Sequence, residues 1–309
     1  MEKALRNRLT FGPMMLAGLF GLLILDHSIE GWSKHWKWFV DLTRETSGLQ
    51  GVGILILLML ILPLATAELA ILFTAERVRP YRLLATLGSG ALAVHAFLTQ
   101  FPAFQNIAAS ALAFIIVFVM IGAALQRAAT KQTSDAIVRM AGTVLATLYL
   151  GGLGWFLMAI RVKHSPHFNG SMWMVLMILL VVKSTDIGAY FGGRALGRHK
   201  MIPWLSPGKT WEGLFFGVLT AGGVGAAMGI GLPGHGMAMR PIEGFIFGAI
   251  IGAIGQVGDL LESLMKRDAE VKDSGRLIPG FGGVLDVIDS PLFAAPFAYL
   301  LLSLFARMR

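Results

Sequence analysis

Nine long apolar stretches recur along the 309 residues, separated by short polar or glycine- and proline-bearing segments. They lie near 10–26, 50–73, 83–101, 104–126, 137–160, 171–191, 211–232, 242–262 and 284–306. Most reach the ~20 residues that a helix needs to cross hydrocarbon. The first is short, and the eighth runs into a polar stretch, so its far end is expected to project from the bilayer. Unbroken apolar runs, rather than the two-residue alternation of a lipid-facing barrel strand, predict helices that satisfy their backbone groups internally. The expected fold is all-α: a polytopic integral membrane helical bundle of about nine transmembrane helices.

Composition agrees with this class. The chain is 55% hydrophobic and 14% charged, with a mean hydropathy of +0.69, too apolar for an ordinary soluble domain. Cations set the orientation. Of the 26 Lys and Arg, seventeen lie at one set of helix ends, among them Arg6, Arg77, Arg127, Arg194, Lys209 and Lys266. The positive-inside rule therefore predicts a cytoplasmic amino terminus and cytoplasmic late polar loops. The net charge of +8 reads as this topology signal plus attraction to anionic headgroups, with no nucleic-acid partner. Lys3, Arg6 and Arg8 precede the first core as in a signal peptide. That core ends at Asp26-His27-Ser28 without a small-residue cleavage pattern, which predicts a retained anchor. The absence of cysteine excludes disulfides, thiolate nucleophiles and cysteine zinc sites. His164-x-x-His167 reads as an incidental pair in an outer loop.

Polar chemistry is concentrated late. Residues 1–165 read as an N-terminal scaffold of lipid-contacting helices, and 166–309 as a catalytic half with a cytoplasmic-face nucleotide and metal site. In the first half, Arg77, Arg79 and Arg82 suit a positive-inside loop better than a phosphate site. In the second, Lys183 and Asp186 are three apart at the end of the sixth span, with Tyr190, Gly192, Gly193 and Arg194 following. They share a helix face and form either a buried ion pair or part of a charged-ligand site.

Ser206-Pro-Gly-Lys209-Thr210-Trp-Glu212-Gly213 opens the seventh span. Its Gly-Lys-Thr resembles a phosphate loop, but Pro203 stands where that loop needs its first glycine. The remaining expectation is a proline-started helix whose free amides and Lys209 suit phosphate oxygens, or an ordinary Ser206 cap. The third constellation runs from Gly258 to Ser290, GDLLESLMKRDAEVKDSGRLIPGFGGVLDVIDS. Asp259, Ser263 and Lys266 fall on one helical face, and Glu262 can pair with Lys266. Asp286 and Asp289 open the last span three apart. With Asp259 folded back across Pro279-Gly280 and Gly282-Gly283, these carboxylates suit a hard divalent cation.

TDIGAYFGGR, SPGKTWEG and the block from GDLLESLMKR to VLDVIDS together resemble the phosphatidate cytidylyltransferase family, the CDP-diacylglycerol synthases. The resemblance implies that Mg2+ and CTP act with phosphatidic acid, giving CDP-diacylglycerol and pyrophosphate at the cytoplasmic face of a bacterial-type inner membrane. It implies Asp259 and Asp286 as metal ligands, with Lys266 and Asp289 as further catalytic groups. Asp186, Tyr190, Ser206, Lys209, Thr210, Glu212, Ser263, Arg267, Lys272 and Asp273 would contact nucleotide. K+ as a companion ion and a homodimer are further implications. Two departures stand out: Phe281 and Val287 occupy positions where the family usually has His and Arg, each removing a positive donor. An altered-substrate or inactive relative is therefore the alternative. A secondary transporter, with polar groups at the midplane and repeat symmetry, fits less well, because the charges crowd one membrane face.

Overall fold

The computed structural model describes residues 2–43, 48–162, 171–231 and 239–307; His164 and His167 lie outside them. The chain forms two compact units, the first made of Met1–Ser165 with Asp268–Val287, the second of Pro166–Arg267 with Ile288–Arg309.

The first unit contains α1 (Glu2–Ser33), α2 (Lys37–Thr43), α3 (Val52–Ala75), α4 (Arg82–Leu98), α5 (Pro102–Gln105), α6 (Ala108–Ala129), α7 (Ala136–Thr147) and α8 (Leu153–Arg161). A five-residue π-helical turn, Leu148–Gly152, joins α7 to α8. On α3 the residues Ile54, Leu58, Leu62, Ala65, Leu69 and Leu72 are buried, while Leu60, Leu64 and Ile71 are exposed. The buried set recurs every three or four residues, so one stripe faces protein and an equally apolar stripe is left for lipid. α4 packs against α3, α6, α7, α8 and the π turn. Close approach there depends on small residues: Gly151 lies against the Ser89 backbone, and Gly88 against Val119 and Thr147.

α1 continues through Asp26-His27-Ser28 to Ser33, past the end expected for its apolar core. Neutralisation explains the extension. Asp26 is fully buried and pairs with the guanidinium of Arg161, which also meets Glu30 at 2.9 Å. The second Asp26 oxygen accepts the Gly53 amide at 3.0 Å. A lone carboxylate would end an apolar helix; a paired and hydrogen-bonded one can sit inside it.

In the second unit, α9 (Met172–Leu196) leads through a hairpin of β1 (Lys200–Ile202) and β2 (Ser206–Thr210) into α10 (Trp211–Gly231), followed by α11 (Pro241–Asp268) and α12 (Leu285–Arg307). β1 and β2 pair antiparallel and are the only strands among the described residues. Gly192 faces Phe216 and Gly188 faces Thr220 across α9 and α10, while Gly225 meets Gly244 and Gly248 meets Ala221 across α10 and α11. Such contacts bring backbones close enough for dispersion to replace the hydrophobic drive that lipid removes.

Eight helices are long and apolar enough to cross a membrane, and the ninth expected span, Arg82–Leu98, is a shorter apolar helix. The chain is thus a polytopic helical integral membrane protein. α11 has 28 residues, about 42 Å at the helical rise, which exceeds the ~30 Å of hydrocarbon. Its last turns carry Glu262, Lys266, Arg267 and Asp268 out of the apolar run.

Candidate active site

Ser206–Thr210 is a strand rather than the expected helix start. Three contacts decide this. Strand pairing sets Ser206 opposite Ile202 and Thr210 opposite Lys200; the Thr210 hydroxyl accepts the Gly213 amide at 3.1 Å; and the Trp211 amide donates to the His199 carbonyl at 3.0 Å. Thr210, not Ser206, caps α10. Glu212 in the first turn takes both the His199 amide, at 3.2 Å, and its ring Nδ1, at 2.6 Å, clipping the hairpin to the helix.

This hairpin delivers Lys209 to α11. Its ammonium lies 2.7 Å from Asp259 Oδ2 and 2.8 Å from Gln256 Oε1. Gln256 turns its amide nitrogen to Asp186 at 2.6 Å, and Asp186 stands 3.8 Å from Lys183. Five side chains from α9, β2 and α11 thereby alternate donor and acceptor. Every buried amide atom of Gln256 is used, which fixes its orientation.

Beside this chain, single oxygens of Asp259, Glu262 and Asp289 lie within 4.8 Å of one another. Helical spacing explains the first two, three residues apart on α11; Asp289 comes from α12. Glu262 and Asp289 are buried, Asp259 partly so. Lys266 meets Glu262 at 2.7 Å. Asp289 Oδ2 is buried and has no hydrogen-bond partner among the described residues. Three carboxylates face two ammonium groups in a largely buried cluster, a composition suited to a cation. An all-oxygen donor set of this kind fits a hard divalent ion. Of the remaining expected residues in this unit, Arg267 donates to the Leu205 carbonyl at 3.4 Å, Arg194 to the Tyr190 hydroxyl at 3.2 Å, and Ser263 is half-buried on α11.

Asp286, Lys272 and Asp273 belong to the first unit. Asp286 Oδ2 accepts the Ser274 amide at 3.0 Å, the Ser274 hydroxyl at 2.9 Å and the Gly283 amide at 2.7 Å. Glu68, buried on α3, accepts the Val284 and Leu285 amides at 3.0 and 2.8 Å. Glu68 satisfies the opening amides of α12, Asp286 ties down Ser274 and Gly283, and together they hold the 268–284 loop over α3. Both glycines near Glu68 are forced by its approach: any Cβ at Gly275 or Gly283 would collide with its carboxylate. Lys272 and Asp273 are exposed on the loop. Phe281 lies over Gly12, where a methyl group would stand 3.3 Å from its ring.

Glu68, Glu262 and Gln256 take parts that spacing alone did not assign them. Glu68 had a readable signal, a lone acid within an apolar span. Glu262 was masked by its own pairing with Lys266, and an uncharged Gln256 gave no signal.

The cytidylyltransferase family matches residues 46–305. A phosphatidate cytidylyltransferase of Haemophilus influenzae is 44% identical over 142 residues, covering 45% of this chain and 49% of its own length. One of Bacillus subtilis is 39% identical over 166 residues, 52% and 58%. An uncharacterized protein of Escherichia coli, YnbB, is 38% identical over 155 residues, 50% and 49%. The chain spans about half the length of the curated relatives it matches. With the family match running from α3 to α12 and including every carboxylate and lysine of the cluster, this chain belongs to the cytidylyltransferase family.

Proposed function

We propose that the protein transfers CMP from CTP to phosphatidic acid at the cytoplasmic face of a bacterial-type inner membrane, releasing pyrophosphate and forming CDP-diacylglycerol. The observation that carries this reading is the buried oxygen cluster of Asp259, Glu262 and Asp289 edged by Lys209 and Lys266. Mg2+ would be held by Asp259, Glu262 and Asp289, and when bound it supplies charge neutralisation to the triphosphate. Potassium as a companion ion belongs to the same reading on the strength of the family resemblance.

The lipid phosphate is anionic near neutral pH, so its oxygen attacks the α-phosphorus of CTP without a protein base. The bond from the α-phosphorus to the bridging oxygen breaks, and pyrophosphate leaves with the electron pair. The protein's work is positioning and electrostatics. Glu262 holds Lys266 at 2.7 Å, and Gln256 holds Lys209 at 2.8 Å; two ammonium groups fixed in this way can neutralise the departing pyrophosphate without reorganising. Asp186 acts through Gln256. Asp286, the other metal ligand implied by the resemblance, shapes the approach to α12 through the three hydrogen bonds of its Oδ2.

Purified protein incubated in detergent with phosphatidic acid, Mg2+ and labelled CTP should give lipid-soluble label together with pyrophosphate. Asp259→Asn should lower turnover at least ~100-fold; wild-type turnover in that variant would end the assignment. The second reading, an altered-substrate or inactive relative, is favoured by Phe281, which presents an aromatic ring to Gly12 where the family usually has His. No product from a folded protein, with activity appearing in the Phe281→His, Val287→Arg double variant, would establish it.

A further inference from the structure

A cavity of about 370 Å3 lies in the first unit, between the carboxyl end of α3, the start of α4 and the 268–284 loop. Ile71, Leu72, Ala75 and Val271 line it with apolar groups, and Arg82, Thr74 and Ser274 add polar ones. Its size falls in the range of small-ligand sites.

We propose that this cavity is the headgroup site for a lipid phosphomonoester, with Arg82 as its anion-binding group. Four observations converge on that chemistry. Arg82 has no ion-pair or hydrogen-bond partner among the described residues and is exposed, so its fork of donors is available. It is also the first residue of the 17-residue α4, whose amino terminus has no side-chain cap, so the positive end of the helix dipole adds to its charge. Arg77 and Arg79, both exposed, immediately precede it and raise the local potential. Among the apolar lining residues, Ile71 is 54% exposed on a helix apolar enough to span the membrane, so an amphiphile can seat its phosphate while its chains stay in lipid. A soluble phosphate would gain nothing from that wall.

Asp273 also lines the cavity and is exposed. Its charge opposes the ligand, so its removal should tighten binding, a sign that a merely structural loop residue would not produce. The choice of phosphatidic acid as ligand rests on the proposed reaction, yet the site is testable by binding alone.

The test is titration of dioctanoyl phosphatidic acid into detergent-purified protein without nucleotide or metal, followed calorimetrically. Dioctanoyl phosphatidylglycerol and inorganic phosphate serve as comparators. Arg82→Ala should weaken phosphatidic acid binding at least ~10-fold, Asp273→Asn should strengthen it, and neither comparator should match it. Ile71→Trp, a change at an exposed position, should block the cavity and abolish binding in a folded protein. Equal binding of phosphatidylglycerol, full competition by inorganic phosphate, or unchanged affinity in Arg82→Ala and Ile71→Trp would each overturn the site. Binding that depends on Arg82 in a protein making no CDP-lipid would leave the site standing and remove the proposed reaction; product formation with unaltered Arg82→Ala binding and lipid KM would do the reverse.

Discussion

Glu68 and Arg161 show how a single ionisable residue is tolerated inside an apolar helix. Glu68 accepts two backbone amides from the start of α12, and Arg161 is fully buried against two acids of α1. Removing either leaves buried polar groups stranded. Glu68→Ala should destabilise the protein by about 1–3 kcal/mol through the orphaned Val284 and Leu285 amides. Arg161→Met, which leaves Asp26 and Glu30 facing each other, should cost about 3–5 kcal/mol. Thermal unfolding in detergent would show the larger fall for Arg161→Met; equal shifts would contradict the buried-charge account. Both charges are visible in the sequence, Glu68 within an apolar run and Arg161 at the end of one, but their partners are 135 and more than 200 residues away, beyond any local spacing rule.

Between elements, the hairpin before α10 departs most from the local reading. Pro207 and Ser206 have the chemistry of a helix start, yet pairing with β1 and the Thr210 cap move that start to Trp211. The consequence is that Lys209 sits on a strand aimed at α11 rather than in a helical turn. Gln256 is the hinge of this arrangement, because its amide orients Lys209 and Asp186 together. Gln256→Leu should therefore lower kcat by at least ~10-fold, since it removes hydrogen bonds to two charged groups. A Gln256→Leu protein of wild-type kcat would show that the bridge is incidental. The glycine contacts between α10 and α11 belong to this scale too: Gly248→Leu, placed against the Ala221 backbone, should separate the two helices and lower the unfolding temperature, whereas Gly223→Leu, with open space around it, should not.

For the molecule as a whole, the cation bias predicts that the 268–284 loop and the β1–β2 hairpin share the cytoplasmic side. With no native cysteine, Glu270→Cys and His199→Cys each provide one clean thiol. Both should react with a membrane-impermeant maleimide in inverted vesicles and not in intact cells; labelling from opposite sides would refute the topology. The apolar run lengths determined the class and the approximate places of the membrane-length helices, since a backbone in hydrocarbon must bond to itself and only helices of about this length do so here. The late carboxylates and lysines were legible as candidate chemistry, because charge beside hydrocarbon is costly enough to need a reason. Tertiary structure alone decided which of them meet. It brought Asp289 to Asp259 and Glu262, set Gln256 between Lys209 and Asp186, and engaged Asp286 with Ser274 and Gly283. Spacing along a helix reports which side chains share a face, whereas the facing partner comes from packing between helices distant in sequence.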